Sequence, residues 1–236
     1  MTQQGPRDAA CRFLHEAART HPILFPRPVD RRGLDDRDRR LAEAIVRSAL
    51  SRWGTLVALI DHALDRPWPS VDDRVQGALL AGAAQLFLLE RIPDHAVVAE
   101  TVEWAKHNCK RRGATGIVNA VLRQLIELRG RKLESVEAGA RDRLLLSDGS
   151  GWELHAQIFD EDPIVRLAQQ SGHDIAMVQR WWTEHGERTA SMLAIHGLCD
   201  PPIILHGAGA DPALTAHDEA GYHFLQGNGD PLIDVL

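Results

Sequence analysis

The chain is poor in the features that would define it most directly. Its three cysteines, Cys11, Cys109 and Cys199, are odd in number and far apart, which excludes a disulfide framework. No CxxC or HxxxH spacing accompanies them, so the twelve histidines do not suggest a metal site and no metal is expected. The longest largely apolar run, residues 78–89, is twelve residues and falls short of the roughly 20 that span a bilayer. The N-terminus lacks the basic-then-apolar order of a signal peptide, so no membrane role is expected and the cytoplasm is the expected location.

Catalytic motifs are missing too. The sequence has no Gly-x-Ser-x-Gly elbow, no P-loop, no GxGxxG after a strand and no His-Glu-x-x-His. The carboxylate pairs Asp35/Asp36 and Asp72/Asp73 stand at the starts of apolar-periodic segments, where they serve as helix caps. No catalytic residue is assigned. As given, the chain is expected not to be an enzyme.

What is present is helical periodicity and an uneven distribution of charge. With 44% apolar and 25% charged residues, the 236-residue chain has the composition of a soluble globular protein. Residues 1–130 carry 20 Lys and Arg against 16 Asp and Glu, and residues 131–236 carry 7 against 17. A mildly basic front and an acidic back suit a front surface that meets phosphate.

Six helices are predicted in the first 130 residues: 9–20, 36–52, 55–64, 71–90, 93–108 and 115–128. The fourth is apolar on nearly every side and should be central and buried. In the sixth, Ile117, Val121, Leu125 and Leu128 form the inward arc, flanked by Val118 and Leu122, with Asn119 and Arg123 on the solvent side. Beyond Gly130 the pattern weakens. Residues 131–151 read as an amphipathic helix and a loop, followed by short helices at 163–170, 174–184 and 187–196. Strand fragments are expected at 201–206 and 222–225, around a turn-rich 207–211. The chain finishes in an apolar run, 232–236, where a loose polar terminus is usual, so a piece of a longer protein is expected. The resulting fold class is an all-α bundle over residues 1–130, followed by a small α+β connecting region over 131–236.

The candidate site is an anion-binding surface. Lys106, Lys110, Arg111 and Arg112 gather just before a helix N-terminus, where free backbone N–H groups and the macrodipole favour phosphate. Gly113 and Gly116 would let a sugar-phosphate chain come close. Further cations are Arg39, Arg40 and Arg47 on one arc of the second helix, Arg12 and Arg19 seven apart on the first, and Arg123. Read by charge alone, the same residues also fit solvated helix faces with weak surface ion pairs. Aromatic interleaving is thin, because Trp53 and Trp104 fall on helices as core residues.

Several motifs in order give the chain a family resemblance over roughly residues 9–128. They are Asp38-Arg39, Arg52-Trp53, Leu59-Ile60-Asp61, Gly82-x-x-Gln85-Leu86 and Ile92-Pro93-x-His95-Ala96. Ala99-Glu100-x-Val102-Glu103 and Val118-Asn119-Ala120-Val121-Leu122-Arg123 follow. Together they resemble the NusB-like RNA-binding domain that begins bacterial rRNA cytosine-C5 methyltransferases of the RsmB (Sun/Fmu) type. A weaker likeness continues through Asp162-Pro163, Val178-Gln-Arg-Trp-Trp182 and His185-Gly186 to Pro201-Pro-Ile-Ile-Leu205. His206 stands where that family usually has Arg, and Gly207-Ala208 where it has Val-Asn.

The resemblance implies a NusB-like fold, RNA (rRNA) as partner and a role in small-subunit (16S) rRNA processing. It implies S-adenosylmethionine only in a catalytic domain whose Asp-x-Cys-Ala-Ala-Pro-Gly-Gly-Lys, Pro-Cys and Thr-Cys motifs this sequence lacks, so no cofactor is expected here. Two other functions remain open at this point. One is a stand-alone NusB-like regulator of transcription antitermination, acting with a protein partner. The other is a helical protein–protein module.

Overall fold

The computed structural model describes residues 5–23, 27–89, 92–136, 139–199, 203–207, 212 and 214–225. Residues 201–202, most of the 207–211 turn and the terminal run 232–236 lie outside the described residues. The described residues divide into two compact units, one within 1–198 and one within 199–236.

Six helices open the first unit: α1 (Pro6–Thr20), α2 (Asp36–Ser51), α3 (Trp53–His62), α4 (Asp73–Phe87), α5 (Asp94–Asn108) and α6 (Ala114–Leu128). Their starts follow local chemistry. Pro6 occupies the first turn of α1, where a missing N–H costs nothing. Asp35 caps α2 by accepting from the Asp38 N–H at 2.8 Å, and Asp72 caps α4 by accepting from the Arg74 N–H at 3.0 Å. Gly113 precedes α6 at φ 86°, a left-handed conformation that a side chain would strain.

Helix α4 is the axis of the bundle. Every residue from Val75 to Phe87 is buried, and α1, α2, α3, α5 and α6 all pack on it. Two glycines set how closely. A Cβ at Gly77 would lie 2.4 Å from the backbone nitrogen of His15 on α1, and one at Gly82 would lie 2.5 Å from Leu122 Cδ2 on α6. Polar ties accompany this packing. Gln85 donates to the Ala81 carbonyl at 2.9 Å and accepts from Arg7 Nε, while Arg7 Nη1 meets Glu100 at 2.7 Å. These bonds join α1, α4 and α5. Trp53 and Trp104 are core residues, 7% and 6% exposed. On α6 the buried arc centres on Val118, Val121, Leu122 and Leu125, with Ile117 only half-buried at its rim.

The expected helix within 131–151 is not formed. The chain instead makes β1 (Arg129–Leu133), β2 (Arg143–Leu145) and β3 (Gly151–Leu154), an antiparallel sheet in the order β1–β3–β2. Lys132 pairs with Trp152 and Leu144 with Trp152, so β3 satisfies the backbone of both neighbours. Burial explains the choice of strand. Leu144, Leu154 and Phe159 join the same core as the six helices, and Trp152 donates to the Phe87 carbonyl at 3.1 Å.

Helix α7 (Pro163–Ser171) is capped by Asp162, which accepts from the N–H groups of Ile164 and Val165. Helix α8 (Ile175–His196) is broken at Gly186, where φ 78° and ψ 167° leave the helical region. That break separates the two segments expected at 174–184 and 187–196. A small second core of Leu167, Ala168, Val178 and Ala194 holds α7 and α8 together.

The second unit contains β4 (Ile204–His206), β5 (Leu214–Ala216) and β6 (Tyr222–Leu225), antiparallel in the order β4–β6–β5. Its strands at 204–206 and 222–225 were expected, whereas β5 was not.

Candidate nucleic-acid interface

The cationic loop is built by the end of α5 and the left-handed entry to α6. Lys106, Lys110, Arg111 and Arg112 are all exposed. Lys106 Nζ lies 3.4 Å from Glu103 Oε2, one turn back on α5. Among the described residues, Lys110, Arg111 and Arg112 make no ion pair. Three unpaired cations therefore sit beside the N–H groups that open α6. Arg111 also borders a groove with Arg66, Asp72 and Ile117.

The remaining candidate cations divide by how far they are already neutralised. Arg39 pairs with Asp36 at 3.0 Å, Arg12 with Asp8 at 3.1 Å, and Arg19 with Glu16 at 3.4 Å and Asp73 at 3.5 Å. Arg40 and Arg47 are exposed on α2. Arg123 is exposed on α6, its Nε donating to Asn119 at 3.1 Å, and lines a separate groove between α5 and α6 with His95 and Val102. The structure thus gathers the loop cations at one place and leaves α2 and Arg123 on other elements.

A second basic locus emerges that the sequence did not reveal. Arg12 shares a cleft of about 450 Å³ with Arg27, Arg32 and Arg74, the four arginines coming from three separate stretches of chain. Arg74 was hidden by its setting, directly after the capping pair Asp72-Asp73. Its proximity to α1 is set by the Gly77 contact one turn along.

Two of the three cysteines, Cys11 and Cys109, are unsuited to nucleophilic work. Cys11 is fully buried, which pushes its thiol far up, and burial raises the Cys109 thiol to about 11, with Asp72 adding to the effect. Both are protonated near neutral pH, and the thiolate is the nucleophile. A strand leading through a glycine-rich turn into a helix N-terminus is the architecture that seats nucleoside cofactors. That arrangement is not found among the described residues. Among them there is also no group of three or more metal-ligating side chains, and no helix long and apolar enough to cross a membrane.

Taken together, the first unit is a six-helix bundle built around the buried α4, extended by a small sheet and by α7 and α8, with a basic loop at its surface. Residues 7–127 match the NusB family, and the chain belongs to it. Curated relatives extend the likeness. The chain is 30% identical to ribosomal RNA small subunit methyltransferase B of Pseudomonas putida over 239 residues, covering 97% of this chain and 47% of that protein. It is 41% identical to the protein of the same name from Pseudomonas syringae pv. tomato over 170 residues, 72% of this chain and 31% of the relative. With the Xanthomonas campestris counterpart it shares 41% identity over 90 residues, 38% of this chain and 20% of the relative. The chain spans about half the length of the first relative and less of the other two.

Proposed function

We propose that this chain is the RNA-binding region of a small-subunit rRNA methyltransferase, docking the enzyme on 16S rRNA through phosphate contacts at the loop 106–112. One observation carries the reading. The alignment with methyltransferase B continues past the NusB match at residue 127 and covers 97% of the chain, so it includes the sheet and α7–α8. A stand-alone antitermination regulator would account for the first part only. On this reading, cytosine-C5 methylation and its S-adenosylmethionine donor belong to a catalytic domain, and this region works in the cytoplasm, where the ribosome is assembled.

The loop supplies the attraction. Lys110, Arg111 and Arg112 are exposed and unpaired among the described residues, so phosphate gains their charge without breaking an existing pair. Binding of labelled 16S rRNA fragments, followed by anisotropy across a salt series, tests this. Reversing Lys110, Arg111 and Arg112 to Glu should weaken binding and lower the slope of log K against log salt by about 2, at about 0.7 for each phosphate of a single strand that is no longer neutralised. Unchanged affinity and slope would remove the loop from the interface.

A further inference from the structure

Beside the loop, the cleft holding Arg12 contains more than surface charge. Four guanidinium groups, from Arg12, Arg27, Arg32 and Arg74, face two carboxylates, Glu16 and Asp30. Arg12, Arg27 and Arg32 have partners: Asp8, the Phe13 carbonyl at 2.8 Å and Asp30 at 2.8 Å respectively. Arg74 is half-buried and makes no ion pair among the described residues.

The second observation is independent of charge. Trp104 lines the same cleft and is 6% exposed, yet its buried Nε1–H has no acceptor among the described residues. A buried indole N–H normally finds a partner, and leaving one unmade costs about 1–3 kcal/mol. Its neighbour Asn108 donates from Nδ2 to the Trp104 carbonyl at 2.9 Å and leaves the indole N–H unmet. The cleft therefore offers an unpaired cation beside the Trp104 indole in its wall, and that cation calls for an anion.

At about 450 Å³ the cleft is larger than a phosphate ion needs and lies within the range of small-molecule sites. Phe13 and Trp104 add aromatic surface to its walls.

We infer that this cleft takes one unpaired nucleotide, its phosphate on Arg74 and Arg12 and its base against the wall that Phe13 and Trp104 form. Single-stranded RNA is commonly read this way, by a splayed base held among aromatic and arginine side chains. The inference rests on the proposal that the chain binds RNA, and it adds a site that none of the loop cations forms.

The chain has six tryptophans, so its 15N–1H spectrum should show six indole cross-peaks, and Trp104→Phe identifies the relevant one by its loss. A single-stranded oligoribonucleotide should shift that cross-peak. Arg74→Gln should abolish the shift and raise Kd about tenfold, as expected for a lost charge-assisted hydrogen bond. A nucleoside monophosphate at millimolar concentration should move the same cross-peak.

If anisotropy shows RNA bound while the Trp104 cross-peak stays still, or if its shift persists unchanged in Arg74→Gln, the cleft assignment fails and RNA binding stands. If no RNA binds at low salt, RNA binding fails. A cross-peak then moved by the mononucleotide alone, and lost in Arg74→Gln, supports a site for free nucleotides. One moved by neither ligand overturns the inference.

Discussion

Arg52, at the corner between α2 and α3, reaches across 118 positions of sequence to donate from Nη2 to the Gln170 carbonyl at 3.0 Å. The same nitrogen donates to the Leu145 carbonyl at 3.0 Å, and Nε donates to Thr55 Oγ1 at 3.2 Å. A single guanidinium thus pins β2 and α7 to the helical domain. Gly172, at φ 74° just after α7, makes the approach possible, because a Cβ there would lie 2.3 Å from the Ser51 carbonyl oxygen. Within the first unit, the segment from β1 to α7 is held onto the bundle by these contacts as well as by shared apolar core.

Arg52→Met should reveal what this contact contributes. The side chain is 6% exposed and has no carboxylate partner, so burial lowers its pKa to about 10, and it remains charged at neutral pH. Removing it relieves a desolvated charge but leaves two buried carbonyls without donors, at about 1–3 kcal/mol each. The carbonyl loss outweighs the relief, and urea unfolding should show a net loss of about 2–4 kcal/mol. Arg52→Lys should not fully restore stability, because one ammonium cannot reproduce the planar fork that meets the two carbonyls through Nη2 and Thr55 through Nε. A methionine variant within about 0.5 kcal/mol of the parent, the range of featureless surface changes, would contradict this account.

How much of this was legible depended on whether the information was local. The six helices could be read because each carries its own apolar period, and α4 stood out because residues 78–89 are apolar on nearly every side. Strands β1–β3 could not be, since Leu133 and Val136 are spaced like a helix face and the pairing of Lys132 with Trp152 spans 20 residues. The loop cations were legible as a run in sequence. The Arg74–Trp104 cleft was not, because four segments distant in sequence build it and because Asp72-Asp73-Arg74 reads as a capped helix start.

The stability of the fold should depend on pH through His21. Its ring stacks on Trp53 with centroids 4.5 Å apart and planes 5° from parallel, and burial lowers its pKa below the ordinary 6.5. The folded state then binds the proton less readily than the unfolded chain. The stabilisation from this residue is complete above about pH 6.5 and is lost as pH falls from there through the lower folded value. One such group can contribute at most about 1.4 kcal/mol per pH unit. His21→Phe keeps an aromatic on Trp53 and removes the proton. Melting curves between pH 7.5 and 5 should therefore fall less steeply for the variant, and parallel curves would exclude His21 as the source. His173 is shifted in the same direction by burial and remains in both proteins, so it cancels in the comparison.

The two glycines of α4 should respond unequally to the same substitution, because they face different kinds of obstacle. Alanine gains about 1 kcal/mol over glycine in a helix interior, so either change would stabilise α4 in isolation. At Gly82 the new methyl meets Leu122 Cδ2 at 2.5 Å, the end of a side chain that can rotate away. Repacking there costs about 1 kcal/mol and offsets the helix gain, leaving Gly82→Ala near neutral. At Gly77 the methyl meets His15 N at 2.4 Å, His15 Cα at 2.7 Å and the Cys11 carbonyl oxygen at 3.0 Å. Those atoms are backbone, and α1 must move bodily to make room. Overpacking of that kind costs about 3 kcal/mol or more, well beyond the helix gain. Since α1 also forms one wall of the Arg12–Arg74 cleft, Gly77→Ala should weaken nucleotide binding while Gly82→Ala leaves it intact. Urea titrations that rank Gly82→Ala below Gly77→Ala would show that α1 is not locked to α4 by this contact.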